Sequence, residues 1–360
     1  MSKPLLSVCL ITYNQAQYIK QAVDSILEQE ADFHWELIIA DDYSTDGTRE
    51  ILRDYKNRFP DLINLILQKS NVGPEKNWLD LMSNHKSKYV LYTEGDDYFT
   101  DPAKLQTQVD FLEAHVDISL CFHPVKVIYE DGSRPDELFP LPERRAGKNL
   151  LEVKDLLVSN FIQTNSAMYR WRFIKEDIKY TFPKNISPGD WLLHILHAQT
   201  GKIGFIDRVM SVYRRHPGGL WWDSHKDKNK LWEKYGIAHL NLYEEMLRLY
   251  GDNKDYDKII FNHIYETFGL LIELRDMNNS RVLEDALLKF PEFASRVMSD
   301  QRRIIARKDY QLENLTQELQ DRISDYDGLG AELNAIKNSK SWRTARRLSK
   351  ARSVLPRKNP

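Results

Sequence analysis

The chain has 360 residues, 42% of them hydrophobic and 29% charged, with a formal net charge of −2. These are ordinary values for a soluble globular protein with room for one large domain plus appendages, or two domains. No apolar stretch reaches the length of a membrane span, and the first residues run into a strand without the basic and apolar regions of a signal peptide. Cys9 and Cys121 both lie in apolar runs, so no disulfide framework is implied and a reducing, cytosolic location is expected. The charge is unevenly spread: from Lys337 onward there are nine Lys/Arg and no Asp/Glu, which leaves residues 1–336 at −11.

In chain order, Leu6–Ile11 reads as a strand and Gln17–Glu28 as a helix, with Ile19, Ala22, Val23, Ile26 and Leu27 at helical spacing. Leu37–Ala40 is the second strand, and Asp46-Gly47-Thr48 opens a helix toward Tyr55. Ile63–Leu67 is a strand, Glu75–Asn84 a helix and Tyr89–Thr93 a strand; Asp101-Pro102 starts a helix carrying Leu105, Val109 and Leu112. This alternation predicts an α/β fold with a mostly parallel sheet covered by helices. Ile118–Phe122 and Val125–Tyr129 read as paired strands, Leu150–Ser159 as helical, and Thr164–Tyr169 and Met210–Tyr213 as strands. Beyond Asp223 the pattern is helical. A heptad of mainly apolar seam residues from Ile305 to Ile336 predicts a short coiled coil.

Two acidic runs carry most of the functional information: Asp41-Asp42 within IIADDYSTDGT, and Glu94-Gly95-Asp96-Asp97 within KYVLYTEGDDYF. Each follows a strand, and the crevice beyond the carboxyl ends of strands is where open α/β sheets bind ligands. Carboxylates gathered there repel one another unless a cation lies between them, and a hard divalent ion with oxygen ligands suits them. A metal–nucleotide site is the first expectation. Each motif alone has a bland reading. Thr12-Tyr13-Asn14 is a strand running into a turn, and Asp, Ser and Gly build turns and caps for local reasons. Their order at successive strand ends is what points to a site.

The run TYNQ, SILEQ, DDYSTDGT, NVG, EGDDYFTDPAKLQ, QVDFLE closely resembles the family 2 glycosyltransferases of GT-A (Rossmann-like) fold found in bacterial surface polysaccharide synthesis, over residues 5–222. The resemblance implies a nucleotide-diphosphate sugar donor, Mn²⁺ or Mg²⁺, and inversion at the anomeric carbon. It implies that Thr12, Tyr13 and Asn14 line the nucleotide site, with Ile11 where the family more often has Pro. Asp42, preceded by Asp41, matches the carboxylate that accepts the pyrimidine N–H, and Asn71 and Gly73 match the turn beside the base. Glu94 stands for the first Asp of the family's Asp-x-Asp motif and would contact the ribose. Asp96 or Asp97 would hold the metal, the choice being open. Asp190 in SPGDWLLHILHA matches the general base at a helix start; its bland reading is an N-cap. His216 matches a position touching metal or diphosphate. Arg214 and Arg215 could pair with the diphosphate, Gly218 and Gly219 give a hinge, and Trp191 and Trp221 are the expected acceptor contacts.

The expected organisation is therefore a glycosyltransferase domain at 1–222, a helical domain at 223–300, a coiled coil at 301–336 and a basic tail at 337–360. The expected function is metal-dependent transfer of a sugar to a hydroxyl of a growing, lipid-linked polysaccharide of O-antigen or capsule type. The coiled coil suggests a homo-oligomer or docking to a pathway enzyme, and the tail an anionic membrane surface at the inner face of the cell membrane. Nucleic-acid binding by the tail is the weaker reading. Two rivals are a nucleotidyltransferase, although TYNQAQYIK lacks the glycine of a phosphate loop, and an inactive scaffold acting through its coiled coil.

Overall fold

A computed structural model describes residues 3–141, 150–173, 178–219, 221–222, 227–278, 280–300, 314–315, 317 and 334–339. The chain divides into two compact units, Met1–Pro291 and Glu292–Pro360. In the second, residues 292–300 are helical. Most of the expected coiled coil and nearly all of the basic tail lie outside the described residues.

The first unit begins with four parallel strands, β1 (Leu6–Thr12), β2 (Trp35–Asp41), β3 (Ile63–Leu67) and β4 (Tyr89–Glu94). They alternate with α1 (Ile19–Leu27), α2 (Thr48–Arg58) and α3 (Pro74–Met82). Strands covered on both faces read as continuous apolar runs, and β1 and β2 do so. The helical spacing of Ile19, Ala22, Val23 and Ile26 buries one face of α1 in the same core as Leu6, Val8 and Leu10. Each such side chain contributes about 1.5–3 kcal/mol by leaving water, and Leu10→Ala in this close-packed layer would cost about 2–5 kcal/mol. Both cysteines are buried free thiols, and burial pushes the Cys121 thiol up to about 12.

Next come β5 (Tyr98–Phe99), α4 (Lys104–Ala114), β6 (Ile118–Phe122), β7 (Val125–Tyr129), β8 (Glu137–Phe139), β9 (Leu150–Leu151) and α5 (Val153–Val158). They are followed by a 3-10 turn (Thr164–Ser166), β10 (Met168–Arg170), α6 (Ile178–Thr181), α7 (Gly189–Ala198), β11 (Lys202–Phe205) and β12 (Ser211–Arg215). The main sheet runs β3-β2-β1-β4-β10-β6-β11-β9, with β10 antiparallel to both of its neighbours; a second sheet runs β5-β12-β7-β8. The mostly parallel α/β architecture expected from the strand–helix alternation is thus present.

Three local expectations change. Ile118–Phe122 and Val125–Tyr129 do not pair; they enter different sheets. The two residues between them are His123 and Pro124. A two-residue hairpin wants positive φ at its centre, which proline cannot adopt. The segment 150–159 opens as a short strand before turning helical, and 164–166 is a 3-10 turn that precedes its strand.

The remainder of the unit is helical: α8 (Lys228–Tyr250), α9 (Lys254–Asn278) and α10 (Val282–Lys289). The two long helices pack along each other, α10 lies against both, and α5 touches α9. No helix among the described residues is long and apolar enough to cross a membrane.

Candidate active site

Strand register sets the site. Thr12 pairs with Asp41 across β1 and β2, and Ile11 with Glu94 across β1 and β4. The ladder then carries on past the strand ends: Asp42 N–H donates to the Thr12 carbonyl at 3.0 Å and Gly95 N–H to that of Ile11 at 2.9 Å. The three motifs therefore stand side by side at one edge of the sheet. Gly95 is needed for this closeness, because a Cβ there would lie 2.5 Å from Gln15 Oε1 and 2.9 Å from Thr12 Oγ1.

A cavity of about 330 Å³ opens at this edge, with Thr12, Tyr13, Asp42, Asn71, Glu94 and Asp96 in its lining. Asp42 Oδ1 accepts from Val72 N–H at 2.7 Å and Oδ2 from Gly73 N–H at 2.9 Å. Gly73 has φ of +87°, which a side chain would strain, so the Asn71-Val72-Gly73 turn is clasped to the end of β2. Tyr13 stays half exposed at the cavity mouth. Asn14 and Asp41 are not in this lining. Asn14 Oδ1 accepts from Thr45 N–H at 2.9 Å. Asp41 is fully buried, accepts from Ser44 N–H at 3.1 Å and faces Arg49 at 3.2 Å. Both brace the loop between strand ends.

A second cavity, of about 390 Å³, adjoins the first, and Pro74, Tyr92 and Glu94 line both. Asp190, at the second residue of α7, lines it. The carboxylate of Asp190 accepts from Thr164 Oγ1 at 2.8 Å, from its neighbour Trp191 N–H at 2.7 Å and, more weakly, from Asn160 Nδ2 at 3.4 Å. Burial raises this carboxyl and these hydrogen bonds pull it back. Trp191, expected at the acceptor, is not in the lining. Its indole N–H donates to the Leu156 carbonyl at 2.8 Å, and its ring packs edge-on to Tyr243 and His263. One residue on from Asp190, and so about 100° further round the helix, it fastens α7 to the helices behind it. Trp221, by contrast, does line the second cavity.

Carboxylate oxygens of Glu94, Asp96 and Asp97 lie within 4.8 Å of one another. Crowding of like charge away from water disfavours ionisation. Burial first, then the charges of Asp96 and Asp190, pushes Glu94 up to about 8, and Asp97 is raised in the same way by burial, Asp96 and Glu94. The two aspartates differ in what they face. Asp97 is turned into the scaffold, accepting from Asn165 Nδ2 at 2.8 Å and Arg214 N–H at 3.0 Å. Asp96 lines the first cavity, and its Oδ1 is buried without a hydrogen-bond partner. Its Oδ2 is 2.9 Å from His216 Nε2. Gly218 N–H donates to His216 Nδ1 at 3.2 Å, which leaves Nε2 carrying the hydrogen toward Asp96.

Arg214, expected at the diphosphate, is already engaged. It donates to the Asp96 carbonyl at 2.9 Å and to Gln21 at 2.6 Å, pairs with Glu130, and lies over the Tyr18 ring at 4.8 Å. Arg215 instead lines a small pocket with Glu94, Asp96 and His216, and its buried Nε has no hydrogen-bond partner.

Several site residues escape sequence reasoning. Thr164 and Asn165 are consecutive, yet one holds Asp190 and the other Asp97; nothing local in QTNSA marks them. Trp78, Tyr92, Phe182 and Tyr235 line the second cavity from four separate elements.

Comparison with known proteins agrees with this geometry. Residues 7–177 match Glycosyl transferase family 2. An uncharacterised protein of Mycobacterium tuberculosis is 42% identical over 255 residues, 71% of each chain. The abequosyltransferase RfbV of Salmonella typhimurium is 33% identical over 120 residues, 32% of this chain and 35% of its own. In fold, the mannosyltransferase PcManGT from Pyrobaculum calidifontis, solved with GDP-Man and Mn²⁺, superposes with a TM-score of 0.51 at 15% identity, covering 83% of this chain and 84% of that one. Strand order, the acidic strand ends and these matches lead to one conclusion: the chain belongs to glycosyl transferase family 2 and is a glycosyltransferase.

Proposed function

We propose that the enzyme transfers a sugar, with inversion, from a nucleotide-diphosphate sugar in the first cavity to a hydroxyl group of a growing surface glycan in the second. The observation that carries this is the shared wall: Tyr92 and Glu94 border both cavities, with Asp96 on one side and Asp190 on the other. In this reading Tyr13 and the Asp42–Gly73 clasp receive the nucleoside, and Glu94 the ribose. The acceptor hydroxyl approaches from the second cavity and loses its proton to Asp190 as it attacks the anomeric carbon. A base in hydrogen-bond reach of the attacking group contributes about 10²–10⁴ in rate. Thr164 and the start of α7 hold that carboxylate in place, and the helix N-terminus favours its ionised form. Attack and departure on opposite sides of the sugar make a single displacement, hence inversion.

The acidic cluster fits a divalent cation: three carboxylates converge, and Asp96 Oδ1 is buried without a partner. Asp96 would be the principal ligand, with Asp97 and His216 holding its surroundings and Glu94 nearby. These residues would hold Mn²⁺ or Mg²⁺, whose charge would offset that on a departing diphosphate; PcManGT was solved with Mn²⁺. Arg215 is the cation placed to face that diphosphate.

The polysaccharide context follows from the motif resemblance, beside which RfbV is named an abequosyltransferase, and a lipid-linked acceptor at the inner membrane face belongs to the same reading. So does the division of the chain at 222, 300 and 336, with self-association or docking through 301–336. The basic tail would hold the enzyme at an anionic surface by roughly 1 kcal/mol per basic residue. Removing 337–360 is then expected to weaken sedimentation with anionic vesicles and to spare transfer to a soluble acceptor; equal sedimentation contradicts this.

The test is a panel of nucleotide sugars with and without Mn²⁺, read by melting temperature and by NMR of the product's anomeric carbon. A ligand that binds the native state raises the melting temperature. Stabilisation by one sugar nucleotide only with metal, and an inverted product, is expected. A retained configuration, or a nucleotide-transfer product, overturns the reading.

A further inference from the structure

The second cavity carries a recognition pattern of its own. Besides Glu94 and Asp190 it is lined by two ring pairs: Trp78 with Phe182, centroids 4.8 Å apart, and Trp221 with Tyr235, 5.3 Å apart. The first pair comes from α3 and the residue after α6; the second from the segment after β12 and from α8. Aromatic faces are apolar and carry partial negative charge. They attract a surface of C–H groups and do nothing for an anion.

The charged residues in the lining point the same way. Glu75, Glu94 and Asp190 face the cavity with Lys234 as the cation among its described lining. The Lys234 ammonium lies over the Tyr235 ring at 4.9 Å, and Glu75 Oε2 accepts from Asn185 N–H at 2.9 Å. A phosphate group is held by arginine forks or by the free N–H groups of a helix start. At the start of α7 the Trp191 N–H is already taken by the Asp190 carboxylate, whose charge also occupies that helix end. A phosphodiester in this space would meet carboxylates and ring faces.

Resting on the transfer reading above, we infer that the second cavity selects a neutral pyranoside as acceptor, laid with a C–H face against the two aromatic pairs, and rejects polyol phosphates. A pyranose ring is rigid and offers such a face, so little freedom is lost when it is held. An open-chain polyol phosphate offers no such face, brings its charge among three carboxylates and a lysine already over Tyr235, and costs more to order. Phe182, Asp190, Trp221 and Tyr235 all lie beyond residue 177, where the family match ends. Acceptor choice thus draws on residues beyond the family pattern together with Trp78 and Glu94 inside it.

The experiment is saturation-transfer difference NMR on the full chain with a panel of methyl glycopyranosides, and with ribitol 5-phosphate and glycerol 3-phosphate at the same concentration. Saturation of ring C–H protons is expected for at least one pyranoside and for neither phosphate. That signal is expected to be lost in Trp221→Ala and in Phe182→Ala and kept in Trp221→Phe. A cooperative thermal unfolding transition shows that each variant is folded. Binding of a polyol phosphate in place of pyranosides overturns the inference, as does pyranoside saturation that survives both alanine variants. The NMR needs no donor, so failure of the wild type to bind any nucleotide sugar contradicts the transfer reading separately.

Discussion

The two cavities that meet at Tyr92 and Glu94 are built in different ways. The first is made from loops that follow parallel strands, held by the main-chain hydrogen bonds of Asp42 to Thr12 and Gly95 to Ile11 and by the Asp42 carboxylate, which accepts from the 72–73 amides. The second is assembled from α3, the end of β4, Thr164, the 182–188 segment and the start of α7, Trp221 after β12, and α8. A site set by strand register depends on a few fixed positions, here Asp42 and Gly95, and not on the packing of remote elements. A site set by packing of remote elements changes whenever one of them shifts. That division suits an enzyme that would keep one kind of donor chemistry and vary its acceptor.

The comparison can be broken at the point of largest effect. Asp96→Ala is expected to abolish turnover and calorimetric Mn²⁺ binding with little change in melting temperature, because relief of repulsion among the three carboxylates offsets the hydrogen bond lost to His216. Full turnover of this variant in EDTA contradicts the assignment. On the acceptor side, Thr164→Val removes one charge-assisted hydrogen bond to Asp190. We expect roughly a tenfold drop in kcat, in line with such a bond's weight, no change in donor KM, and recovery in Thr164→Ser. A change in donor KM instead would mean that Thr164 serves the first cavity.

Stability sharpens the contrast between the neighbouring aspartates. Asp97→Asn sets an amide N–H against a donor in a buried place, which costs about 1–3 kcal/mol, and a urea titration reads it. Equal midpoints for Asp97→Asn and the wild type contradict the scaffold role. The smallest effect comes from the buried imidazoles of α7 itself. Burial holds His194 and His197 down to about 3, whereas in the unfolded chain they titrate near their usual value. The unfolded state therefore binds more protons as pH falls below about 6.5, and native stability is lost progressively from there toward pH 3. His197→Phe, which cannot take up a proton, is expected to flatten that slope between pH 6 and 4; an unchanged slope contradicts it.

What could be read from the sequence follows the same division. The parallel strands and the acidic ends at Asp42 and Glu94 were legible because strand periodicity and turn chemistry are local. Asp190 was legible through its place at a helix start. Trp191 and Arg214 were misplaced because a side chain's direction depends on what packs behind it: Leu156 offers a carbonyl to one, and Glu130 and Gln21 claim the other. The Thr164–Asn165 turn was invisible for the same reason, since its partners lie 26 and 68 residues away. Likewise, only contact with the surrounding elements separates Asp96 from Asp97.

The most direct test of a base across a shared wall from the donor is Asp190→Asn, followed in two assays on one preparation. Calorimetry with nucleotide sugar and Mn²⁺ should give the wild-type affinity, since Asp190 lines only the second of the two cavities. Turnover with acceptor should fall by about 10²–10⁴. Normal turnover in this variant would leave Asp190 as a helix cap and contradict the account; lost donor binding would contradict the separation of the two cavities.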